Sequence, residues 1–371
     1  MNEVAVVFQR RTPYVDARLA VLRNHLKSAR VKAIAIYGDS KPSPWWNNPS
    51  QSEEWKLTGE NWKSALPGVL HTDTAQVVAI AGYSHPAMRF AARLARTGGA
   101  ASILMSDSTQ LDRSRGAAKE WLKGRWVRKH FDAAFVSGAR AAFYVETLGI
   151  PRHRVWRGYD VVENTHFAAG ADSVRQEAPD HRRALNLPER YFLFVGRFAE
   201  EKNLVRLLDA YAAYRARAGD EAWRLVMVGS GPQEEELTER VASMDMAGVH
   251  WLGAKMVDEL PAYYALASAF VLPSTREPWG LAVNEAMACG LPVLASDHCG
   301  CVPELVFPGI NGIVFDPLDT TQIASAMRRC SSSGVDLAAM GAASRRIISN
   351  YTTQTWAEAL GDCVASVMAG Q

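Results

Sequence analysis

The stretch Glu277-Pro-Trp-Gly-Leu-Ala-Val-Asn-Glu285 decides how this chain is read. Pro278 disfavours helical geometry at the residue before it, so Glu277 belongs to a loop. Gly280 lets the backbone approach a ligand closely. From Leu281 the run Leu-Ala-Val-Asn-Glu-Ala-Met-Ala is rich in helix formers and stops at Cys289-Gly290, with Gly290 as the terminator. A helix that starts here aims its unbonded N–H groups and the positive end of its dipole at whatever lies in front, and phosphate is the natural guest. Glu285 lies about one turn inside, on the face of Leu281. Two carboxylates beside an anion site make sense if each grips hydroxyl groups on either side of the anion. Ribose, diphosphate and hexose in a row, as in a nucleotide sugar, offer that arrangement.

Around this stretch the second half alternates strands and helices. Predicted strands cover Tyr191–Val195, Trp223–Val228, His250–Gly253, Ala269–Leu272, Leu291–Ala295 and Gly312–Phe315. Helices are expected from Leu204, after Pro232, from Pro261, after Asp319 and from Tyr351 to Met368. The first half has the same rhythm, with strands at Val4–Phe8, Lys32–Tyr37, Val77–Ala81, Ala100–Met105 and Ala133–Val136. Alternation of this kind implies an α/β chain built on parallel sheets. Residues 166–188 are polar, carry Pro179 and Pro188, and read as a linker. The expected organisation is therefore a first domain over 1–170, a second over 183–350, and a terminal helix over 351–371. Residues 40–75 break the rhythm with Ser, Pro and Asn and with Trp45, Trp46, Trp55 and Trp62. Such a stretch is either a flap over a pocket or an excursion that buries its indoles on its own domain.

Composition narrows the class. With 371 residues, 48% hydrophobic and 22% charged, the chain suits two globular domains. No apolar run nears the ~20 residues that span a bilayer, and the first residues run straight into a strand without a signal-peptide pattern. Cytoplasmic residence is expected. The five cysteines form no Cys-x-x-Cys pair, and His298-Cys299-Gly-Cys301 lacks a second cluster to complete four ligands, so no metal site is expected. Charge is uneven. Residues 1–165 hold 24 Lys+Arg against 14 Asp+Glu, a net +10, and the remainder carries −8. Arg113 to His130 sets seven basic residues against Glu120 alone, with Trp121, Leu122, Trp126 and Val127 between. That helix either lies on an anionic membrane, peripheral at the inner face, or packs its apolar stripe on the sheet. Nothing points to nucleic acid.

Four features converge on the second half. Arg197 and Lys202 lie on the loop Gly196-Arg-Phe-Ala-Glu-Glu-Lys-Asn203, and two cations suit a diphosphate. Gly229-Ser-Gly231 follows a second strand, and Trp251-Leu-Gly253 a third, where a base could dock on backbone. The helix entry at Gly280 is the fourth. All four stand at carboxyl ends of strands, where such folds bind ligands.

Together with Leu272-Pro-Ser274, Ala286-Met-Ala-Cys-Gly-Leu-Pro-Val293, Pro303-Glu304 and Gly309-x-Asn311-Gly312, this pattern resembles the retaining, nucleotide-sugar-dependent glycosyltransferases of the GT-B fold, the large family 4 or group 1 type. The resemblance spans residue 191 to about 330. It implies two Rossmann-like parallel-sheet domains facing a cleft, with the C-terminal helix crossing back to the first domain. It implies that Arg197 and Lys202 hold the donor diphosphate and that Glu277 binds hydroxyls of the transferred sugar. Gly280 and Leu281 would offer N–H groups to the distal phosphate, and Glu285 would bind the ribose. Gly196, Gly229, Gly253 and Trp279 complete the donor-binding set. No cofactor is implied beyond the donor itself, a uridine or guanosine diphosphate sugar. The acceptor would be a hydroxyl on a glycan, glycolipid or small molecule.

The first half matches less of the pattern. The family's glycine loop after the first strand reads Gln9-Arg-Arg-Thr-Pro-Tyr14 here, and its strand-end histidine aligns with Asp107, with His85 one unit earlier. Asp107 is thus either a catalytic-site residue or a helix cap. The implied chemistry is metal-independent, same-face substitution, in which the departing phosphate oxygen takes the acceptor's proton. Two other functions fit the same fold: a nucleotide-sugar epimerase or non-glycosidic coupling enzyme, and a non-catalytic nucleotide-sugar-binding partner.

Overall fold

The computed structural model describes residues 2–37, 55–58, 61–70, 75–112, 116–244 and 246–370. They fall into two units, residues 1–163 with 351–371, and residues 164–350. The first unit holds β1 (Asn2–Arg10), β2 (Ala29–Tyr37), β3 (Trp55–Leu57), β4 (Ala75–Ala81), β5 (Ala101–Ser106), β6 (Ala133–Val136) and β7 (Val155–Arg157). These lie in the order β3-β2-β1-β4-β5-β6-β7, every pair parallel. The second unit holds β8 (Tyr191–Val195), β9 (Arg224–Val228), β10 (Val249–Trp251), β11 (Ala269–Leu272), β12 (Val293–Ser296) and β13 (Gly312–Phe315). Their order is β10-β9-β8-β11-β12-β13, again all parallel. In both units the chain starts mid-sheet, winds to one edge, then reverses. The reversal places a crevice at the carboxyl ends of β8 and β11.

The strand centres are mostly apolar because helices cover both faces. In β1 the period-two rule sorts alternate side chains into different cores. Ala5 and Val7 join Ile34 and Ile36 on one face, while Val4, Val6 and Phe8 join Ala33 and Ala35 on the other. The second face is closed by Leu19 and Leu22 of the helix Pro13–His25 and by Trp356, Leu360, Cys363 and Val364 of the terminal helix Thr353–Ala369. These two helices pack closely at Gly361, where a Cβ would fall 2.7 Å from His25 Nε2.

Four stretches differ from the sequence reading. The expected linker is two helices of the second unit, Asn164–Gln176 and Ala178–Ala184. Its polar residues are engaged in tertiary bonds that composition cannot reveal. Phe167 and Ala171 are buried, and Arg175 donates to the carbonyls of Ala265 and Cys289. Within 40–75, Trp45, Trp46 and the side chain of Trp55 lie outside the described residues. There, Trp62–Leu70 is a helix despite Pro67, because Leu66 and Leu70 are buried, and Trp62 packs against Phe90 at 5.9 Å. The basic helix is described over Ala117–His130, with Arg113 and Arg115 outside the described residues. It divides its apolar residues: Val127 is buried and Trp126 stacks on His130, but Trp121 and Leu122 are 59% and 60% exposed. The helix Leu337–Ile348 has no counterpart in the sequence reading.

Arg345 of that last helix donates two hydrogen bonds to Asp172, one at 3.0 Å. This contact, more than any other, holds the Asp172 carboxyl below its ordinary value of 3.8. A depressed folded-state pKa adds stability above the unfolded value and loses it as pH falls through the folded one. Asp172→Asn should therefore lower the melting temperature at neutral pH, and the difference should vanish in acid below 3.8. The half-exposed setting keeps the effect near ~0.5–1 kcal/mol. Equal deficits at both pH values in a thermal melt would contradict this origin.

Candidate active site

The loops after β8, β9, β10 and β11 are tied together through backbone. Gly196 N–H donates to Val228 O at 3.0 Å, Phe198 N–H to Ser230 O at 2.9 Å, and Gly229 N–H to Gly253 O at 2.8 Å. Glycine is required where they touch. A Cβ on Gly229 would lie 1.9 Å from Gly196 O, and one on Gly231 would lie 2.3 Å from Phe198 O. Glycine here thus buys close approach between chain segments. Trp251 stands half-buried beside this ladder, edge-on to Phe198 at 5.7 Å.

The turn Glu200–Lys202 docks on the loop that follows β11. Glu201 O accepts Thr275 N–H at 2.9 Å and Thr275 Oγ1 at 3.3 Å. Asn203, in the left-handed region at φ 60°, is buried and donates to Pro273 O at 3.0 Å and Pro317 O at 2.8 Å. Docking brings Lys202 and Glu277 into a direct ion pair, and Ser274 Oγ donates to Glu277 Oε2 at 3.1 Å. The pair is partly buried, with side-chain exposures of 18% and 12%. Arg197, from the same loop, is exposed.

The helix entry forms as its sequence predicts. Leu281–Ala288 is helical, Gly280 precedes it at φ 110°, and no side chain caps it. Its first-turn N–H groups are left without a side-chain cap, at the positive end of the helix dipole. Trp279 departs from the expected donor-binding role. Its indole is 2% exposed and donates to Asn284 Oδ1 at 3.0 Å, so it fastens the loop to the helix. Glu285 is 5% exposed and accepts a 2.7 Å hydrogen bond from Tyr264 Oη. Tyr264 went unnoticed in the sequence, where nothing local links residue 264 to residue 285. Ser274 was quoted only as part of a motif, and its bond to Glu277 is likewise a tertiary fact.

Asp107 and His85 belong to the first unit. Asp107 follows β5 half-buried and is not a helix cap; Gly116 occupies that position for the helix Ala117–His130. The loop after β5 is organised by Asp112, which accepts Thr109 N–H at 2.8 Å and Thr109 Oγ1 at 2.9 Å. His85 caps the helix Pro86–Thr97, its Nδ1 accepting Ala87 N–H at 3.1 Å. Desolvation, then the nearby Arg89, lowers its pKa.

Residues 177–347 match the model of the family described as Glycosyl transferases group 1. The match covers 171 of the 371 residues, just under half of this chain. A GDP-mannose-dependent alpha-(1-6)-phosphatidylinositol monomannoside mannosyltransferase of Mycolicibacterium smegmatis is 33% identical to it over 195 residues, 48% of this chain and 50% of the relative. A mannosylfructose-phosphate synthase of Agrobacterium fabrum is 28% identical over 195 residues, 50% and 41% of the two chains. The chain thus spans about half the length of the curated relatives it matches. Among solved structures, Anabaena Alr3699/HepE in complex with UDP superposes with a TM-score of 0.75 at 14% identity, over 99% of this chain and 100% of that one. The sucrose-phosphate synthase of Thermosynechococcus elongatus gives 0.74 at 18%, over 100% of both. At such identities the likeness carries the fold, which is that of the GT-B glycosyltransferases. The matched segment includes every second-unit residue of the site described above.

Because Gly229 packs on backbone, Gly229→Ala should destabilise the second unit by about 1–3 kcal/mol and weaken the nucleoside-diphosphate binding expected of this site. Chemical denaturation and a thermal-shift titration measure the two, and a variant with unaltered stability would show that the loops yield freely.

Proposed function

We propose that the protein is a retaining hexosyltransferase that moves a sugar from a uridine or guanosine diphosphate donor to a hydroxyl acceptor in glycan or glycolipid assembly. The observation that carries this reading is the convergence of Lys202, Glu277 and the uncapped entry at Gly280–Leu281 within one docked loop pair. Lys202, with Arg197, neutralises the charge that develops on the leaving diphosphate, as preorganised donors do at an oxyanion. Glu277, oriented by Ser274, accepts hydrogen bonds from hydroxyls of the transferred sugar. Glu285, oriented by Tyr264, does the same for the ribose. The acceptor oxygen bonds to the anomeric carbon on the face from which the phosphate oxygen departs, and that oxygen receives the acceptor's proton. The cations and helix N–H groups supply the charge stabilisation, so the reaction needs no metal. UDP in the Anabaena structure and GDP-mannose in the mycobacterial relative's name support a nucleoside-diphosphate donor. Asp107 remains a proposed contributor to the sugar-facing wall.

Lys202→Ala should lower turnover about 10²–10³-fold, the usual effect of removing one oxyanion donor, in a chain that still folds but melts lower, because Glu277 loses its partner in a partly buried ion pair. Full activity in this variant would refute the assignment. Product anomeric configuration by NMR and turnover in excess chelator test retention and metal independence.

The exposed Trp121 and Leu122, set among Lys119, Arg125 and Lys129, favour peripheral binding to an anionic membrane. No described helix is long and apolar enough to cross one. Phosphatidylserine vesicles should sediment the protein in low salt and release it in high salt. The double variant Trp121→Ala/Leu122→Ala should bind more weakly, and wild-type protein left in the supernatant at low salt would end this idea.

A further inference from the structure

The turn that follows β12, Asp297-His298-Cys299-Gly300-Cys301, lies along the loop that carries Glu277. Cys299 pairs with Glu277 in a parallel bridge, Gly300 N–H donates to Glu277 O at 2.9 Å, and Cys301 N–H donates to Trp279 O at 3.1 Å. Only glycine fits between these bonds, because a Cβ on Gly300 would fall 1.7 Å from Pro278 O. The flanking cysteines are fully buried, and burial pushes the Cys301 thiol far above its ordinary value. Their side chains pack the turn and stay unreactive.

The His298 side chain adds the outermost link. Its Nδ1 lies 2.9 Å from Thr275 O. A carbonyl only accepts, so the proton of the neutral ring sits on Nδ1. The residue is itself held from below, since His298 N–H donates at 3.0 Å to Oγ of the buried Ser296. Thr275 is therefore gripped on both sides: Glu201 O takes its N–H and hydroxyl, and His298 takes its carbonyl. Residues 275–280 lie outside every helix and strand, so no regular ladder holds them. The links at residues 275, 277 and 279 take the place of a ladder. They fix the backbone of Glu277, and Ser274 and Lys202 then meet its carboxylate.

We propose that His298 is a positioning residue for Glu277. Through Thr275 O it holds the backbone that aims this carboxylate at hydroxyls of the transferred sugar. The sugar half of the statement rests on the glycosyl-transfer reading; the coupling of His298 to Glu277 does not. The first measurement needs no ligand. In chemical denaturation, the coupling between Lys202→Ala and Glu277→Gln should fall by at least half in the His298→Ala background. It should return with His298→Asn, whose side-chain N–H can reach the same carbonyl. The second measurement is isothermal titration with UDP, GDP, UDP-glucose and GDP-mannose. For the nucleotide that the wild-type chain binds, His298→Ala should leave the diphosphate within about twofold and weaken its sugar conjugate about fivefold or more, the effect of one lost hydrogen bond. Once Glu277→Gln is present, His298→Ala should weaken the conjugate no further. The proposal is overturned if the denaturation coupling is unchanged, if the conjugate keeps its affinity, if diphosphate and conjugate weaken alike, or if His298→Asn behaves as His298→Ala. A wild-type chain that binds none of the four ligands would end the donor reading, and the denaturation cycle would still decide whether His298 positions Glu277.

Discussion

The ion pair between Lys202 and Glu277 joins two loops 75 residues apart in the chain, and the arrangement of the proposed donor site depends on it. Neither group is placed by its own loop alone. Backbone bonds from Thr275 to Glu201 O and the amide of Asn203 set the loops in register before the charges meet. A cation and a carboxylate held this way are preoriented at the sheet's carboxyl edge, so the proposed transfer would need little reorganisation there.

The doubly wound sheet makes this possible. Because β8 and β11 are neighbours though separated by two strand–helix units, their outgoing loops emerge side by side. The glycines at 229 and 231 allow adjacent loops to close on each other's backbone. The helix at Leu281 then presents its uncapped end beside the same pair of loops.

Where the sequence reading departed from the structure, tertiary packing had outweighed local composition. Residues 166–188 looked like a linker because Arg175, Asp172 and their neighbours are polar. Those residues bond Ala265, Cys289 and Arg345, partners up to 173 positions away. Trp62–Leu70 was hidden by Pro67, and the sequence left open whether Trp121 and Leu122 meet the sheet or a membrane. Spacing says that two residues share a helix; it does not say which face meets the sheet.

The sequence by itself determined the alternating parallel architecture, through mostly apolar strands punctuated by glycine and polar loops. It also determined the helix entry at Gly280–Leu281, because Pro278, Gly280 and the run of helix formers act within a few residues of one another. Only the tertiary structure decided that Lys202 pairs with Glu277, that Tyr264 and Ser274 orient the two carboxylates, that the Trp279 indole turns inward to Asn284, and that Trp121 and Leu122 face outward. Local propensity acts along a few residues of chain, whereas hydrogen bonds and burial join residues brought together only by folding.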